Sequence, residues 1–315
     1  MTLDNQANTW VEKPLYYNCR FGEIPVFSKV YQGLQNSPNI FENNEDWSVE
    51  LPREKAHVCQ RLSVPTNENL KPSIGFEGGY IKHVIQVYKH YFVETTGSFE
   101  TYCERYKGKS RNSLNRKIKK VINSNKEREA FRIFSKPEEV DDFLNTAKAV
   151  SQHSYQEKLF GRVLSTKDAF SEWVKEQAQL GFFRGYILYA EDQPIAYNLC
   201  PIYGDGILFY DWTGYDPKYS KYSPGTVLQY KIIENAFNDE EINYYDLCTG
   251  EGRHKAFFMT GYKDCFDVYY FPFSIKNFFI VSSRFVIERV GKAVSFVLKK
   301  LGLIDKIKKI IRRSK

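Results

Sequence analysis

Residues 210–261 decide the fold of this chain, with the sequence YDWTGYDPKYSKYSPGTVLQYKIIENAFNDEEINYYDLCTGEGRHKAFFMTG. The apolar residues of 206–212 predict a strand, and the glycine and proline that follow break regular structure. Apolar residues then recur at helical spacing as far as Asn238, and residues 242–246 predict another strand that ends in an acid. Because strands alternate with helices, this stretch predicts an α/β fold.

The predicted helix begins with Ser223-Pro224-Gly225. Serine is favoured at the N-cap and proline at the first helical position, while glycine lets a ligand approach the backbone closely. A helix N-terminus presents unpaired N–H groups and a partial positive charge, so this start can hold a pyrophosphate. We expect the cofactor-binding residues to be Ser223, Gly225, Thr226 and Val227; an ordinary helix start in a loop has the same pattern.

Specific residues here resemble the acyltransferase domain of the GNAT superfamily, in its CelD, BioF-like and FemAB-like branch. The matching positions are Gly214-Tyr215-Asp216, Ser223-Pro224-Gly225, Asp246, Gly250 and Lys255. Upstream, residues 110–117 resemble the basic helix that precedes the domain, and residues 193–197 resemble its turn and central strand. The resemblance covers about residues 102–272 and implies a mixed, splayed sheet flanked by helices.

The order of predicted elements agrees with this resemblance. Hydrophobic periodicity predicts a basic helix that ends near residue 123. It predicts three more helices, at 137–155, 166–180 and 253–259. It predicts further strands at 131–134, 183–190, 194–201 and 266–271.

The resemblance also implies a reaction. The donor would be acyl-CoA, with acetyl-CoA as first choice, and the acceptor an amino sugar, a polysaccharide precursor or a similar polar molecule acylated directly on nitrogen or oxygen. Two positions depart from the family: residues 222–227 keep only the first glycine of the cofactor signature, and His254-Lys255 replaces a common Tyr-Lys pair. Two alternatives stay open, a Fem-like transferase that uses aminoacyl-tRNA and a non-catalytic scaffold in envelope or polysaccharide assembly.

Direct transfer requires a base that takes a proton from the acceptor. We expect Asp246 to be this base because it ends a strand, and His254 to shuttle protons because the ordinary pKa of histidine is about 6.5. Lys255 would pair with a substrate carboxylate or a CoA phosphate, and Asp211 and Trp212 would line the acceptor pocket. The alternatives are turn capping for Asp246, a structural role for His254, a surface charge for Lys255 and core packing for Trp212.

Length and composition set the class of protein. A chain of 315 residues that is 42% hydrophobic can bury one large or two modest cores. Its six cysteines and five histidines lack metal-ligand spacing, and no apolar signal segment is seen, so we expect no metal and a reduced, cytoplasmic location. We expect three parts: a small α/β region at 1–100, a reduced counterpart of a GNAT unit; the acyltransferase domain at 101–273; and a basic tail at 274–315.

Basic residues concentrate in that tail. Between residues 276 and 315, twelve Lys and Arg stand against Glu288 and Asp305, a net charge of +10, whereas residues 1–275 have a net charge of −3. Apolar residues recur there at helical spacing, with Phe278 and Phe279 among several phenylalanines. The pattern predicts an amphipathic helix on the anionic inner face of a membrane, or a terminal helix that packs on the domain.

A second basic cluster spans residues 105–128, with ten Lys and Arg and one acid, Glu127. Such a cluster is usually a solvated helix face. We expect no nucleic-acid partner except tRNA in the Fem-like alternative, where these charges would meet its phosphate backbone.

Overall fold

The computed structural model describes residues 10–22, 24–42, 47–52, 57–154, 164, 168–249 and 252–300. They form two compact units. Unit 1 spans His90–Tyr262, and unit 2 combines the segment that ends at Lys89 with the segment that begins at Lys263. The three-part division predicted at residues 100 and 273 stays a prediction.

Unit 2 begins with strands. They are β1 (Val11–Phe21), β2 (Ile24–Asn36), β3 (Val58–Pro65), β4 (Ser73–Glu77) and β5 (Tyr80–Glu94), which continues into unit 1. Leu15, Tyr17 and Cys19 are buried and alternate with exposed neighbours, as expected for a strand with one face on a core. Strands therefore occupy the region for which the sequence predicted an α/β mixture: the described residues before Phe99 contain no helix.

Unit 1 alternates helices and strands. Its elements are α1 (Phe99–Glu104), α2 (Gly108–Ile122), β6 (Phe131–Phe134), α3 (Val140–Ser151), α4 (Asp168–Gln179), β7 (Phe183–Ala190), β8 (Gln193–Tyr203), β9 (Ile207–Phe209), β10 (Thr213–Tyr215), α5 (Pro224–Asn238), β11 (Tyr244–Asp246) and α6 (Arg253–Phe258). Short 3₁₀ turns, Pro137–Glu139 and Pro217–Tyr222, precede α3 and α5. Strand β12 (Gly261–Pro272) leads back into unit 2, where α7 (Ile275–Lys300) follows.

The strands of unit 1 form a mixed sheet in the order β5-β11-β9-β8-β7-β6, and β10 pairs with β8. β9 and β11 are parallel, and the other neighbours are antiparallel. Leu188 and Ile232 belong to a core shared with α2 and α5, whereas Ile187 and Phe143 belong to a core shared with α3 and α4. A mixed sheet flanked by helices confirms the predicted fold class.

Several boundaries predicted from the sequence match those in the structure, and others differ for local reasons. The strands at 131–134 and 183–190 were predicted residue for residue. The strand predicted at 206–212 is shorter: β9 ends at Phe209, and the separate strand β10 begins only at Thr213, because backbone pairing with β8 is interrupted between them. The helix predicted at 137–155 begins as a 3₁₀ turn and ends at Ser151; Tyr155 lies outside the described residues.

The strands of unit 2 follow the order β1-β2-β3-β12-β5, with β4 paired to β5, and α7 packs on their core. Within this core, His83 of β5 is fully buried, and its Nδ1 lies 2.7 Å from the hydroxyl of Tyr17. The guanidinium of Arg284 in α7 lies 4.3 Å from the centre of the Tyr17 ring. Burial and, to a lesser extent, the Arg284 charge lower the pKa of His83 to about 3, so this histidine is neutral in the folded protein.

This neutral histidine makes the stability of unit 2 depend on pH. Between pH 6.5 and about 3, the unfolded chain binds a proton at His83 that the folded state excludes, so stability is lost as the pH falls. The slope contributed by one such group is about 1.4 kcal/mol per pH unit. Denaturant unfolding across this pH range should show this slope of stability with pH in the natural protein. The control His153→Gln, which changes an exposed histidine, should show the same slope. His83→Gln should lack it; an unchanged slope in His83→Gln would contradict the assignment.

Candidate functional site

A cavity of about 420 Å³ lies in unit 1 between β10 and the first turns of α5. Asn198 of β8, Ser154 after α3 and His254 of α6 also contribute to its walls. Among the described residues that line it, none is a lysine, arginine, aspartate or glutamate. The walls are therefore formed by uncharged polar groups, aromatic rings and the aliphatic side chains of α5.

The cavity exists because two neighbouring strands separate. Parallel pairing of β9 with β11 ends at Phe209 and Asp246, after which the N–H of Tyr210 donates to the Asp246 carbonyl over 2.9 Å. The chain then continues as β10 along β8, while the N–H of Leu247 donates to the carbonyl of Tyr91 in β5. The sheet is thus splayed at this point, as the resemblance implied.

The loop between β10 and α5 is fixed where it leaves β10. Gly214 is required because a Cβ there would lie 2.7 Å from the ring of Tyr197. Asp216 then caps the 3₁₀ turn, its carboxylate accepting from the N–H of Lys218 at 2.9 Å. The loop therefore approaches the helix start along a defined path.

The start of α5 differs from the expected capping geometry. Ser223 occupies the N-cap position, but its backbone is left-handed (φ 53°, ψ 52°) and its side chain makes no capping hydrogen bond. The Ser223 carbonyl accepts from the N–H groups of Thr226 and Val227, and the Ser223 N–H donates to the backbone carbonyl of Ser220. Because Pro224 has no N–H, the Gly225 N–H is the backbone donor that this start leaves available among the described groups.

Three of the four predicted cofactor-binding residues line the cavity: Ser223, Gly225 and Thr226. Val227 is buried in the core on the far side of the helix. A Cβ added at Gly225 would meet no atom within 4 Å, so this position faces open space. The expected close backbone approach is therefore available at Gly225.

Asp246 is not among the residues that line the cavity. Its buried carboxylate lies 2.6 Å from Nε2 of His90, and Oδ1 accepts from the N–H of Cys248 at 2.6 Å. Asp246 thus bonds the backbone just before the turn predicted at residues 249–253, for which the sequence left a capping role open. Contacts with Gly250 lie outside the described residues.

His254 lines the cavity, with its ring centre 6.4 Å from that of Tyr210. Although much of its side chain is exposed, the surrounding protein atoms, followed by the Lys255 charge, lower the pKa of His254. Its imidazole is therefore neutral and can accept a proton. Tyr210 is less suited to this task because burial raises its pKa.

Lys255 points away from the cavity into a polar turn. Its buried ammonium donates to the carbonyl of Thr249 at 2.6 Å and to that of Cys248 at 3.3 Å. Burial lowers the pKa of Lys255, and the nearby Asp246 carboxylate partly opposes this shift. These bonds tie the Lys255 side chain to the turn that precedes α6.

The two residues predicted for the acceptor pocket separate from each other. Asp211 is exposed, and Trp212 packs against Phe170 and Trp173 of α4, with ring centres 5.6 and 6.0 Å away. Neither belongs to the cavity lining. Trp212 is half-buried and packs against the core of α3 and α4.

Two buried amides in the cavity wall were not predicted from the sequence. Asn198 is 0% exposed and Gln229 is 2% exposed, and the Nδ2 and Nε2 atoms have no hydrogen-bond partner in the described part of the chain. Both residues line the cavity. Gln229 could have been found because it lies one helical turn after Gly225, and Asn198 because it interrupts an apolar strand.

A comparison with protein families identifies part of this unit. Residues 108–256 match the family model of the acetyltransferase (GNAT) domain. The match includes β8, the splayed strands, α5 and most of α6. It therefore contains every residue named above for the cavity wall.

Solved structures include similar chains at low sequence identity. FemX is 8% identical, with a TM-score of 0.47, over 86% of this chain and 90% of FemX. L-PGS from Bacillus licheniformis is 12% identical, with a TM-score of 0.45, over 73% of each chain. None of the curated proteins matches the chain.

The two unpartnered NH2 groups make a prediction about the protein without ligand; the Asn198 amide oxygen accepts a weak hydrogen bond from the Cys200 thiol at 3.3 Å. A buried donor without a partner costs about 1–3 kcal/mol, so apolar replacements of similar shape should leave stability unchanged or raise it. Denaturant unfolding should show this for Asn198→Leu and Gln229→Met.

Asn235→Leu, in the same helix as Gln229, is the matched control. The Asn235 amide oxygen accepts from the Tyr186 hydroxyl at 2.9 Å, so losing it should destabilise the protein by about 1 kcal/mol or more. A comparable loss in Asn198→Leu or Gln229→Met would mean that their amides are already bonded in the free protein.

Proposed function

We propose that this chain, which contains a GNAT-type acetyltransferase domain at residues 108–256, transfers an acyl group from acyl-CoA directly to a polar acceptor. The observation that carries the proposal is the cavity at the splayed strands, with Gly225 at the helix start on its wall. Acetyl-CoA is the donor we propose first. The acceptor is an amino sugar, a polysaccharide precursor or a similar small molecule, acylated on nitrogen or oxygen in the cytoplasm at or near the inner face of the membrane.

The donor site follows from the distribution of charge. The helix start offers the Gly225 N–H and the positive end of the α5 dipole, which favour the pyrophosphate of the donor. The cavity wall beyond it is uncharged, with Leu228 and Ile232 beside the amides of Asn198 and Gln229. This combination suits the pantetheine arm, which is uncharged and carries amide groups.

His254 is the base that fits the cavity best. In the transfer, the acceptor nitrogen or oxygen forms a bond to the thioester carbonyl carbon, and the carbon–sulfur bond breaks. His254 accepts the proton that the acceptor loses, and the CoA sulfur leaves as a thiolate that takes up a proton. The reaction also requires a hydrogen-bond donor for the negative charge that develops on the carbonyl oxygen.

Asp246 and Lys255 support this base in the proposal. Asp246 binds the N–H of Cys248, and Lys255 binds the carbonyls of Cys248 and Thr249. Both therefore hold the turn that leads to α6, where His254 is located. Asp246 was the base expected from the sequence, and we assign it to positioning because it lies outside the cavity lining.

A second candidate donor is aminoacyl-tRNA. The basic helix α2 lies beside the loop that leads to α5, and Nζ of Lys120 donates to the Lys221 carbonyl at 3.0 Å. Its exposed side chains include Arg116 and Lys119. Such a surface next to the cavity would favour a polyanion, and tRNA binding should then weaken steeply with salt.

Isothermal calorimetry tests the donor assignment. We expect the natural protein to bind acetyl-CoA in about the micromolar range. Gly225→Trp should fold normally because a side chain at this position meets open space, but its indole should block the donor and abolish binding. Gly225→Ala, which adds a single methyl group at the same position, should fold and keep binding.

Two outcomes would count against this assignment. A folded Gly225→Trp with natural affinity would exclude the helix start as the donor site. If the natural protein binds no acyl-CoA, binding of aminoacyl-tRNA would favour the Fem-like reaction, and the lack of both would favour the scaffold.

The pH dependence of kcat/KM tests the role of His254. Because the pKa of His254 is lowered, kcat/KM should stay high as the pH falls and then drop with unit slope below the ordinary histidine value of about 6.5. His254→Gln should lose this acid limb and reduce kcat/KM by about 10²- to 10⁴-fold. CoA release in the presence of an amino-sugar acceptor measures both. An acid limb that persists in His254→Gln would assign the base elsewhere, and His153→Gln is the control.

A further inference from the structure

Helix α7 of unit 2 has two apolar faces, and only one of them is covered. On the packed face, Val281 is fully buried and Arg284 lies over the ring of Tyr17. On the opposite face, apolar residues repeat at intervals of four and seven, as one stripe of a helix does. The exposed stripe consists of Ile275, Phe279, Val286, Val290 and Val297.

Aromatic residues enlarge this stripe at the start of the helix. The ring of Phe76, in β4, lies 5.8 Å from Phe273 and 6.5 Å from Phe278, and Phe278 lies 6.3 Å from Phe279. The exposed fractions are 63% for Phe76 and Phe273 and 65% for Phe279. Near the other end, Phe296 is 68% exposed. Isolated exposed apolar residues are ordinary, but a continuous aromatic and aliphatic surface indicates a binding partner.

The charges beside the stripe have one sign. Exposed Lys276, Arg289, Lys292 and Lys300 flank it. The acidic residue of α7, Glu288, is paired with Arg284 at 2.8 Å on the packed face. The exposed side of α7 is therefore apolar in the middle and basic at its borders.

We infer that this exposed face of α7, together with Phe76 and Phe273, docks on an anionic lipid bilayer. An apolar stripe bordered by basic side chains is the pattern of a helix that lies in the plane of a membrane surface, with its aromatic rings at the headgroup level. Within the described residues, no helix is both long and apolar enough to span the bilayer.

Charge complementarity favours lipid over a second copy of the chain. Two such faces would bring the basic borders of α7 together without acidic partners, whereas an anionic headgroup layer supplies the opposite charge. The inference concerns where the proposed acyl transfer takes place, but it uses no residue of the cavity. Its failure and the failure of the proposed function can therefore be told apart.

Vesicle co-sedimentation of the full chain tests this inference. Two kinds of vesicle are used, one of phosphatidylcholine alone and one in which about a third of the lipid is phosphatidylglycerol. We expect the natural protein to sediment with the anionic vesicles and to bind the neutral vesicles at least about tenfold more weakly. Phe279→Ser/Phe296→Ser should fold normally, because both side chains are exposed, and should lose about tenfold or more in vesicle binding.

Two controls match these changes. Leu180→Ser removes an equally exposed apolar side chain from unit 1 and should bind as the natural protein does. Lys276→Glu/Lys292→Glu should lose the preference for anionic lipid, whereas the matched double change Lys13→Glu/Lys126→Glu, at two exposed lysines outside α7, should have a smaller effect.

Three results would overturn the inference. They are natural vesicle binding by Phe279→Ser/Phe296→Ser, no vesicle binding by the natural protein, and a dimer in solution that Phe279→Ser/Phe296→Ser converts to a monomer. The last result would assign the face to a second copy of the chain. Acetyl-CoA binding, measured without vesicles, should be unchanged in all of these variants.

Discussion

The parallel pairing of β9 with β11 ends at Phe209 and Asp246, and the candidate site depends on that interruption. Beyond it, β10 follows β8 on one side while Leu247 bonds to Tyr91 on the other. A gap in a sheet exposes backbone and side-chain groups that pairing would otherwise cover. Helix α5 begins across this gap, so its N-terminus, two buried amides and His254 border one cavity.

This arrangement separates the groups that act from the groups that position them. His254 lies on the cavity wall, while Asp246 and Lys255 bind the turn at residues 248–249 from inside the protein. Desolvation by the surrounding protein atoms favours the neutral form of His254, and burial does the same for Lys255. In the proposed reaction, His254 near the start of α6 is a neutral base that faces the acceptor. The turn before α6 is fixed by hydrogen bonds, so it holds this base in place.

How far the sequence predicted this site depends on the range of the interactions. Local signals were reliable: Ser223-Pro224-Gly225 marked the helix start, and the regular strand at 183–190 was predicted to the residue. The left-handed backbone of Ser223 was not predicted, because it depends on bonds to Ser220, Thr226 and Val227 that require the folded loop.

Long-range pairings were the main source of error. Nothing near Asp246 in the sequence indicates that it contacts His90, which is 156 positions away. In the same way, the position of Trp212 against α4 follows from packing across the sheet. Asn198 was detectable as a polar residue in an apolar strand, but its unpartnered amide became evident only once β8 was placed opposite α5.

The two units also divide the proposed tasks. Unit 1 contains the cavity and the residues assigned to transfer, and unit 2 contains the apolar face of α7. The neutral core histidine His83 belongs to unit 2, so acid would act on the stability of that unit, whereas the pH dependence of transfer would report on His254.

A crystal structure of the protein with bound CoA tests the central claim most directly. The account predicts the pyrophosphate at the Gly225 N–H, with the pantetheine arm between β10 and α5, where its carbonyl oxygens accept from Asn198 and Gln229. CoA bound at another surface, with this cavity closed or filled by protein side chains, would contradict the account.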